Sequence, residues 1–320
     1  MNRATLWIAA LLMTAVGCRR GPCPDGSDFL GGKPPKDDKQ WCEKRTGDGK
    51  IVKDGPYTAW YDADHKKVEG AFADDLQTGR WVWRHPNGKI KKEGVFKKGL
   101  QDGVWTAWSE AAVKINEETF ENGKATGPRS IWDPQGRLRK KGDQKDGRPT
   151  GEWTFWHPNG KKRLVGAYEN GVREGLWTYY HENEAKASEG NYKAGLREGK
   201  WIYWNDKGVQ TQSVEFSKDK KNGEQSTWYD SGKIKSKGVY VDNKRNGKFT
   251  FWHENGELKA EGEYAEGKKT GMWIVKTADG RIRETGNFEH GRKVGEWTYY
   301  DDDERKTVIN ESKRGKPTGP

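Results

Sequence analysis

The chain has 320 residues, a third of them charged and 31 % hydrophobic, with a formal net charge of +11. That balance alone points to disorder, but 17 tryptophans are too many and too regularly placed for a solvated coil. A basic chain with interleaved rings also suggests nucleic acid, yet the excess charge is spread along the chain without a cluster, and no nucleic-acid partner is expected.

Residues 1–17 read MNRATLWIAALLMTAVG, one early cation (Arg3) and then an apolar run from Leu6 to Val16. The run is too short to span a bilayer and suits the apolar region of a secretory signal. The residues Ala15-Val16-Gly17 before Cys18 resemble the lipobox of bacterial lipoproteins. That resemblance implies that Cys18 becomes the new N-terminus and the lipid-attachment site. Two or three acyl chains then hold the protein on a membrane, at ~0.8 kcal/mol per buried methylene. An ordinary cleaved signal with an incidental Cys18 is the alternative. Arg19 follows the cysteine where a retention aspartate could stand, which resembles an outer-membrane lipoprotein. The expected location is the bacterial cell envelope, with membrane contact through the anchor only.

Residues 18–54 read as a tether and a stapled N-terminal cap. With Cys18 acylated, Cys23 and Cys42 are the pair left over, and an oxidising compartment favours their disulfide; two free thiols is the alternative. Between them, PDGSDFLGGKPPKDDKQW is rich in Gly, Pro and charge and shows no helix or strand pattern.

From residue 55 the chain repeats. Glycine recurs every 24 residues from Gly55 to Gly319, giving eleven units over 55–318 without insertion or deletion. Seven of these glycines, Gly79, Gly103, Gly151, Gly175, Gly199, Gly271 and Gly295, stand directly before a place-two aromatic pattern and read as structural glycines. Taking the glycine as place zero, rings stand at place two (Tyr57, Trp81, Trp105, Trp153, Trp177, Trp201, Phe249, Trp273, Trp297), and again at place seventeen (Phe72, Phe96, Phe120, Tyr168, Tyr192, Phe216, Tyr240, Tyr264, Phe288). A place-five column contains Trp60, Trp108, Trp132, Trp156, Trp204, Trp228 and Trp252, which are candidates either for ligand contact or for the core. Asn87-Gly88, Asn159-Gly160 and Asn255-Gly256 predict tight type I′ hairpins, because both residues accept positive φ. Second turns such as Asn122-Gly123 and Asn170-Gly171 lead onward. Frequent glycine and the lack of a 3.6-residue period exclude helix.

A single hairpin cannot bury its rings, but stacked hairpins can. Two strands per unit advance about 10 Å, so eleven units predict a ribbon on the order of 100 Å. Place-fifteen glycines (Gly70, Gly94, Gly142, Gly166, Gly190, Gly238, Gly262, Gly286) are expected to let a neighbouring ring lie flat on the backbone.

The unit G-x-W-x-x-W-x-x-N-G…E-G-x-Y-x-x-G resembles the MORN repeat, in a bacterial variant often given antitoxin-type names, and the resemblance covers 55–318. It implies an all-β, elongated array of antiparallel β-hairpins forming a twisted single-layer sheet. It also implies scaffolding, protein contact or membrane-lipid contact, without catalysis, cofactor or a fixed set of site residues.

Departures from the unit come in pairs. GPRSIW and GEQSTW, opening units four and eight, lack the place-two ring, and units three and seven carry Glu118 and Val214 in place of the inner glycine. Each pair is 96 residues apart, which reads as a duplication of 79–174 into 175–270. The last unit, with Asn310, Ser312 and an acidic turn, reads as a degenerate end cap.

His85, His157, His181 and His253 share place six. Adjacent members stand about 10 Å apart against metal–nitrogen bonds of about 2 Å, so they read as polar strand-end residues and not as ligands. No nucleophile–base spacing or phosphate loop appears, and no enzyme, metal or cofactor is expected. The expected function is a protein-binding repeat scaffold with an envelope partner. Alternatives are peptidoglycan or polysaccharide held on tryptophans, because places two and five alternate to opposite faces unless a bulge intervenes; contact with anionic lipid; or an antitoxin-like or immunity-like binder of an envelope toxin.

Overall fold

A computed structural model describes residues 22–313, so the leader and Cys18 lie outside the described residues. The chain divides into two compact units, 1–112 and 113–320. The first contains β1 (Ser27–Gly31), β2 (Lys39–Arg45), β3 (Ile51–Trp60), β4 (Lys66–Ala73), β5 (Leu76–Arg84), β6 (Ile90–Lys97) and β7 (Leu100–Trp108). Each pairs antiparallel with the next in sequence. The second unit is by itself a meander from β8 (Lys114–Glu121) and β9 (Lys124–Trp132) to β24 (Lys306–Asn310), followed by one 3-10 turn. Among the described residues there is no α-helix.

The stretch between the cysteines departs from the expectation, because β1 and β2 lie in it. Its chain pairs as a hairpin, with Phe29 opposite Cys42, and β2 pairs onward with β3. Strands of five and seven residues with one aromatic each carry too little pattern to read in sequence. Cys23 and Cys42 are disulfide-bonded, and Cys42 is buried.

The Asn-Gly hairpin turns are not of the expected type I′. At His85-Pro86-Asn87-Gly88 the amide of Gly88 donates to the carbonyl of His85 at 2.9 Å, and Gly88 but not Asn87 has positive φ. This is a type I turn closed by a left-handed glycine, with proline at its first central position, where its fixed φ fits. The Asn87 side chain accepts from the amide of Lys89 at 3.1 Å. The type I′ turn is the onward one: Asn122 and Gly123 both have positive φ, as do Asn170 and Gly171.

The core lies on one sheet face. Trp177 and Trp297 are fully buried and Trp105 and Trp273 are 1 % exposed, although no second layer of secondary structure is present among the described residues. The packing that achieves this is shown by β14 (Lys186–Lys193) and β15 (Leu196–Trp204). Three residues, Gly199, Lys200 and Trp201, stand against the single residue Gly190, between the pairs Glu189–Ile202 and Asn191–Glu198. Gly199 takes φ +68°, with open space where a Cβ would stand, so its glycine is required by conformation and not by crowding. The bulge swings the indole flat onto Gly190, and the indole N–H donates to the carbonyl of Asn191 at 3.1 Å. Six further tryptophans make the same bond ten residues back, so no buried indole donor of this set is left unsatisfied. Wherever a place-two ring follows, the place-seventeen ring meets it edge to face, as Tyr168 meets Trp177 with centroids 5.0 Å apart and planes at 89°. Such pairs add about 0.5–1.5 kcal/mol beyond the area they bury.

Candidate functional site

The open side of the ring ladder is covered by cations. Place twenty-two is Arg173, Arg197, Lys221, Arg245, Lys269 and Lys293 in six consecutive units, and each lies over a ring of the ladder. The Lys269 ammonium stands 4.0 Å from the centroid of Trp273 and Lys293 4.0 Å from that of Trp297. The Arg173 guanidinium lies 4.6 Å over Trp177, Arg197 lies 4.0 Å over Phe216, and Lys221 lies 5.0 Å over Tyr240. The aliphatic stems cover apolar surface while the charged heads reach water. A single-layer sheet thereby closes its core with side chains.

Phenols tie these cations down. Arg173 donates to the hydroxyls of Tyr179 and Tyr192, both at 3.0 Å, and the two hydroxyls are 3.1 Å apart. Burial, followed by the bond to Tyr192, holds the Tyr179 phenol far above the ordinary range. Arg245 bridges Tyr240 and Tyr264 in the same way. Burial holds the Lys269 ammonium below its usual value.

The seven structural glycines of place zero all have positive φ and open space at the Cβ position. The place-five column is half-buried at Trp108, Trp132, Trp156, Trp204, Trp228 and Trp252, and Trp60 is 6 % exposed. Trp228 lines a shallow cleft with Lys200, Ser213, Glu224 and Ser226, side chains that alternate away from the ring ladder. Lys114 lies 5.2 Å over Trp132 and Lys186 5.8 Å over Trp204.

The four histidines bind backbone. Each Nε2 meets the place-five carbonyl of the next unit: His85 with Trp108, His157 with Tyr180, His181 with Trp204 and His253 with Lys276, at 2.9–3.0 Å. Turn asparagines extend the staple, with Asn87 donating to Glu110 and Asn159 to Glu182. Among the described residues no three His, Cys, Asp or Glu side chains gather as a metal site.

Sequence reading missed two columns. Place four supplies ladder rings at Trp83, Phe155, Tyr179, Tyr203, Phe251 and Tyr299, for example Trp81 stacked on Trp83 at 5.7 Å. Two-residue alternation from place two predicts them. The cations of place twenty-two repeat with the same period and needed only to be set against the ring columns.

Five stretches, residues 77–98, 149–171, 173–194, 221–242 and 245–266, match the MORN repeat variant family. All lie within the repeated block, and the fold of antiparallel hairpins is consistent with a MORN repeat array. No curated protein matches the chain in sequence. Among solved structures, a crystal structure of TcdB2–TccC3 without its hypervariable C-terminal region is 11 % identical, with a TM-score of 0.19, covering 88 % of this chain and 16 % of that one. The Tc holotoxin pore of Photorhabdus luminescens, carrying a mutation in TccC3, is 8 % identical, with a TM-score of 0.14, covering 89 % of this chain and 21 % of that one. The chain therefore spans about a fifth or less of the length of either structure. MORN repeats point to a repeat-based binding scaffold.

Proposed function

We propose that the chain is a non-enzymatic binding scaffold of the bacterial cell envelope, anchored through an acylated Cys18, that holds an acidic protein partner. The observation behind this reading is the cation column at place twenty-two, six members from Arg173 to Lys293 at 24-residue intervals, each on a fixed ring. A rigid, periodic row of positive charge suits a partner carrying carboxylates at matching intervals, and repetition multiplies weak contacts without a deep pocket.

Two measurements test it. Cys18→Ala is expected to move the protein from the membrane fraction to the soluble one; unchanged fractionation removes the anchor from the reading. Photocrosslinking from Lys221 and Lys293 of that column in intact cells is expected to give a discrete protein adduct that weakens with salt. Crosslinks to peptidoglycan, polysaccharide or anionic lipid alone would replace the protein partner with that one. An envelope toxin as the adduct would assign the immunity-like role.

A further inference from the structure

One groove of the first unit and one of the second are built from the same repeat positions. The first is lined by Tyr61, Lys67, Trp83, Lys91, Lys92 and Trp105, with Phe96, Gln101 and Arg84, which is paired with Glu69. The second is lined by Tyr229, Lys235, Phe251, Lys259, Lys269 and Trp273, with Tyr264 and Ala260. Every residue of the second stands seven repeats after one of the first, Tyr229 after Tyr61 and Trp273 after Trp105. The 96-residue duplication does not account for this, because the residues four repeats from Tyr61 and Tyr229 are His157 and Asp133. Tyrosine occupies place six in these two units alone.

Each groove presents the same chemistry. The tyrosine is fixed by its hydroxyl, Tyr61 donating to the carbonyl of Arg84 at 3.1 Å and Tyr229 to that of Trp252 at 2.7 Å. The place-twelve lysine of the same unit stands over that ring, Lys67 at 5.5 Å from Tyr61 and Lys235 at 5.2 Å from Tyr229. A third ammonium lies over the tryptophan of the opposite wall, Lys92 at 4.6 Å from Trp105 and Lys269 at 4.0 Å from Trp273. Among the described residues none of Lys67, Lys91, Lys92, Lys235, Lys259 and Lys269 forms an ion pair.

We propose that these grooves are two equivalent sites for an acidic sugar, a hexose or hexosamine ring bearing a carboxylate or phosphate. The flat C–H face of such a ring packs on the aromatic wall, and its anion meets the lysine ammonium groups, which act as point charges. An acyl chain fits poorly, because entering between three ammonium groups would strip them of water without compensation. The sites lie on the ring-ladder face; the second shares Lys269 with the place-twenty-two column, so a protein partner seated there competes at that groove, whereas the first has Gln101 at that place and stays free.

The test is calorimetric titration of the full chain with trigalacturonate in low salt. Two binding equivalents per chain are expected. Lys67→Gln with Lys91→Gln leaves one, Lys235→Gln with Lys259→Gln leaves one, and all four together leave none. All four lysines are exposed, so the melting temperature should hold. Lys193→Gln, an exposed lysine outside both grooves, leaves two. Absence of binding, equal binding of maltotriose or of inorganic phosphate, or a loss that follows Lys193→Gln as closely as the groove lysines would overturn the proposal. So would binding to phosphatidylglycerol vesicles in place of the trisaccharide.

Discussion

Trp201 lies so close on Gly190 that a Cβ built on the glycine would stand 2.3 Å from Cδ2 of the indole. Seven other place-fifteen glycines meet the next ring in the same way, from Gly70 under Trp81 to Gly286 under Trp297. The ring cannot retreat, because its N–H is bonded to Asn191 and Tyr192 meets it edge-on at 5.1 Å. Gly190→Val is therefore expected to destabilise by about 3 kcal/mol or more, combining overpacking with a lost indole bond. Lys193→Val, at an exposed site on the same strand, should change stability by less than about 0.5 kcal/mol. Urea midpoints of the two variants decide it, and equal shifts would sink the ring-on-glycine account.

Gly199 sits across from Gly190 and is glycine for a different reason, a φ of +68° in open space. Gly199→Ala should cost about 1–2 kcal/mol through the left-handed backbone, and Gly199→Asn should recover most of that loss, because asparagine tolerates the conformation. At Gly190 asparagine should rescue nothing. Thermal melting of the four variants separates conformation from crowding; rescue at both sites would show that one cause serves both.

The repeat, the strand–turn–strand unit and the inner glycine were legible because each follows from period and residue type alone. Turn type was not. Asn-Gly satisfies a type I′ turn and the last half of a type I turn equally well, and the preceding residue does not decide: Pro86 suits the first central position of type I, but Asn255-Gly256 turns the same way after Glu254. The odd spacing between places two and five correctly separates Trp201 from Trp204, but exposure does not follow: the place-five rings are half-buried, Lys186 reaching over Trp204. The grooves were invisible because their members come from three successive units, so that Tyr61, Lys91 and Trp105 share no local pattern.

Tyr179 gives the ladder a pH dependence. Its folded phenol ionises far above the usual range, through burial first and the Tyr192 bond second, while the unfolded side chain titrates near about 10. A raised pKa means that the folded state keeps its proton longer. The stabilising contribution is therefore full below about pH 10 and is lost as pH rises beyond it. Alkaline unfolding should be steep above about pH 10 and less steep in Tyr179→Phe, which should cost about 1 kcal/mol at neutral pH for the lost bonds. Identical alkaline slopes would show that another group carries the effect.

The paired departures in the repeat are one structural fact seen from two strands. Glu118 stands where the inner glycine belongs and is paired across β8 and β9 with Arg129, which stands where the ring belongs; Val214 and Gln225 repeat the arrangement. A side chain at the glycine place leaves no room for a ring, so the two positions change together. The substitution is not a good one at Glu118. Arg129 Nε stands 3.7 Å from the carboxylate without a hydrogen bond, and the buried Gln144 leaves its amide nitrogen unpartnered. Restoring the ladder with Glu118→Gly and Arg129→Trp together should stabilise by about 1–3 kcal/mol, the new indole donating to the carbonyl of Thr119 by analogy with Trp201 and Asn191. Each single change should destabilise, Arg129→Trp by collision with Glu118 and Glu118→Gly by leaving the guanidinium without its carboxylate. A double-mutant cycle on unfolding midpoints measures the coupling, expected at about 2 kcal/mol; additive effects would mean that the two places are independent and that their joint departure has no structural cause.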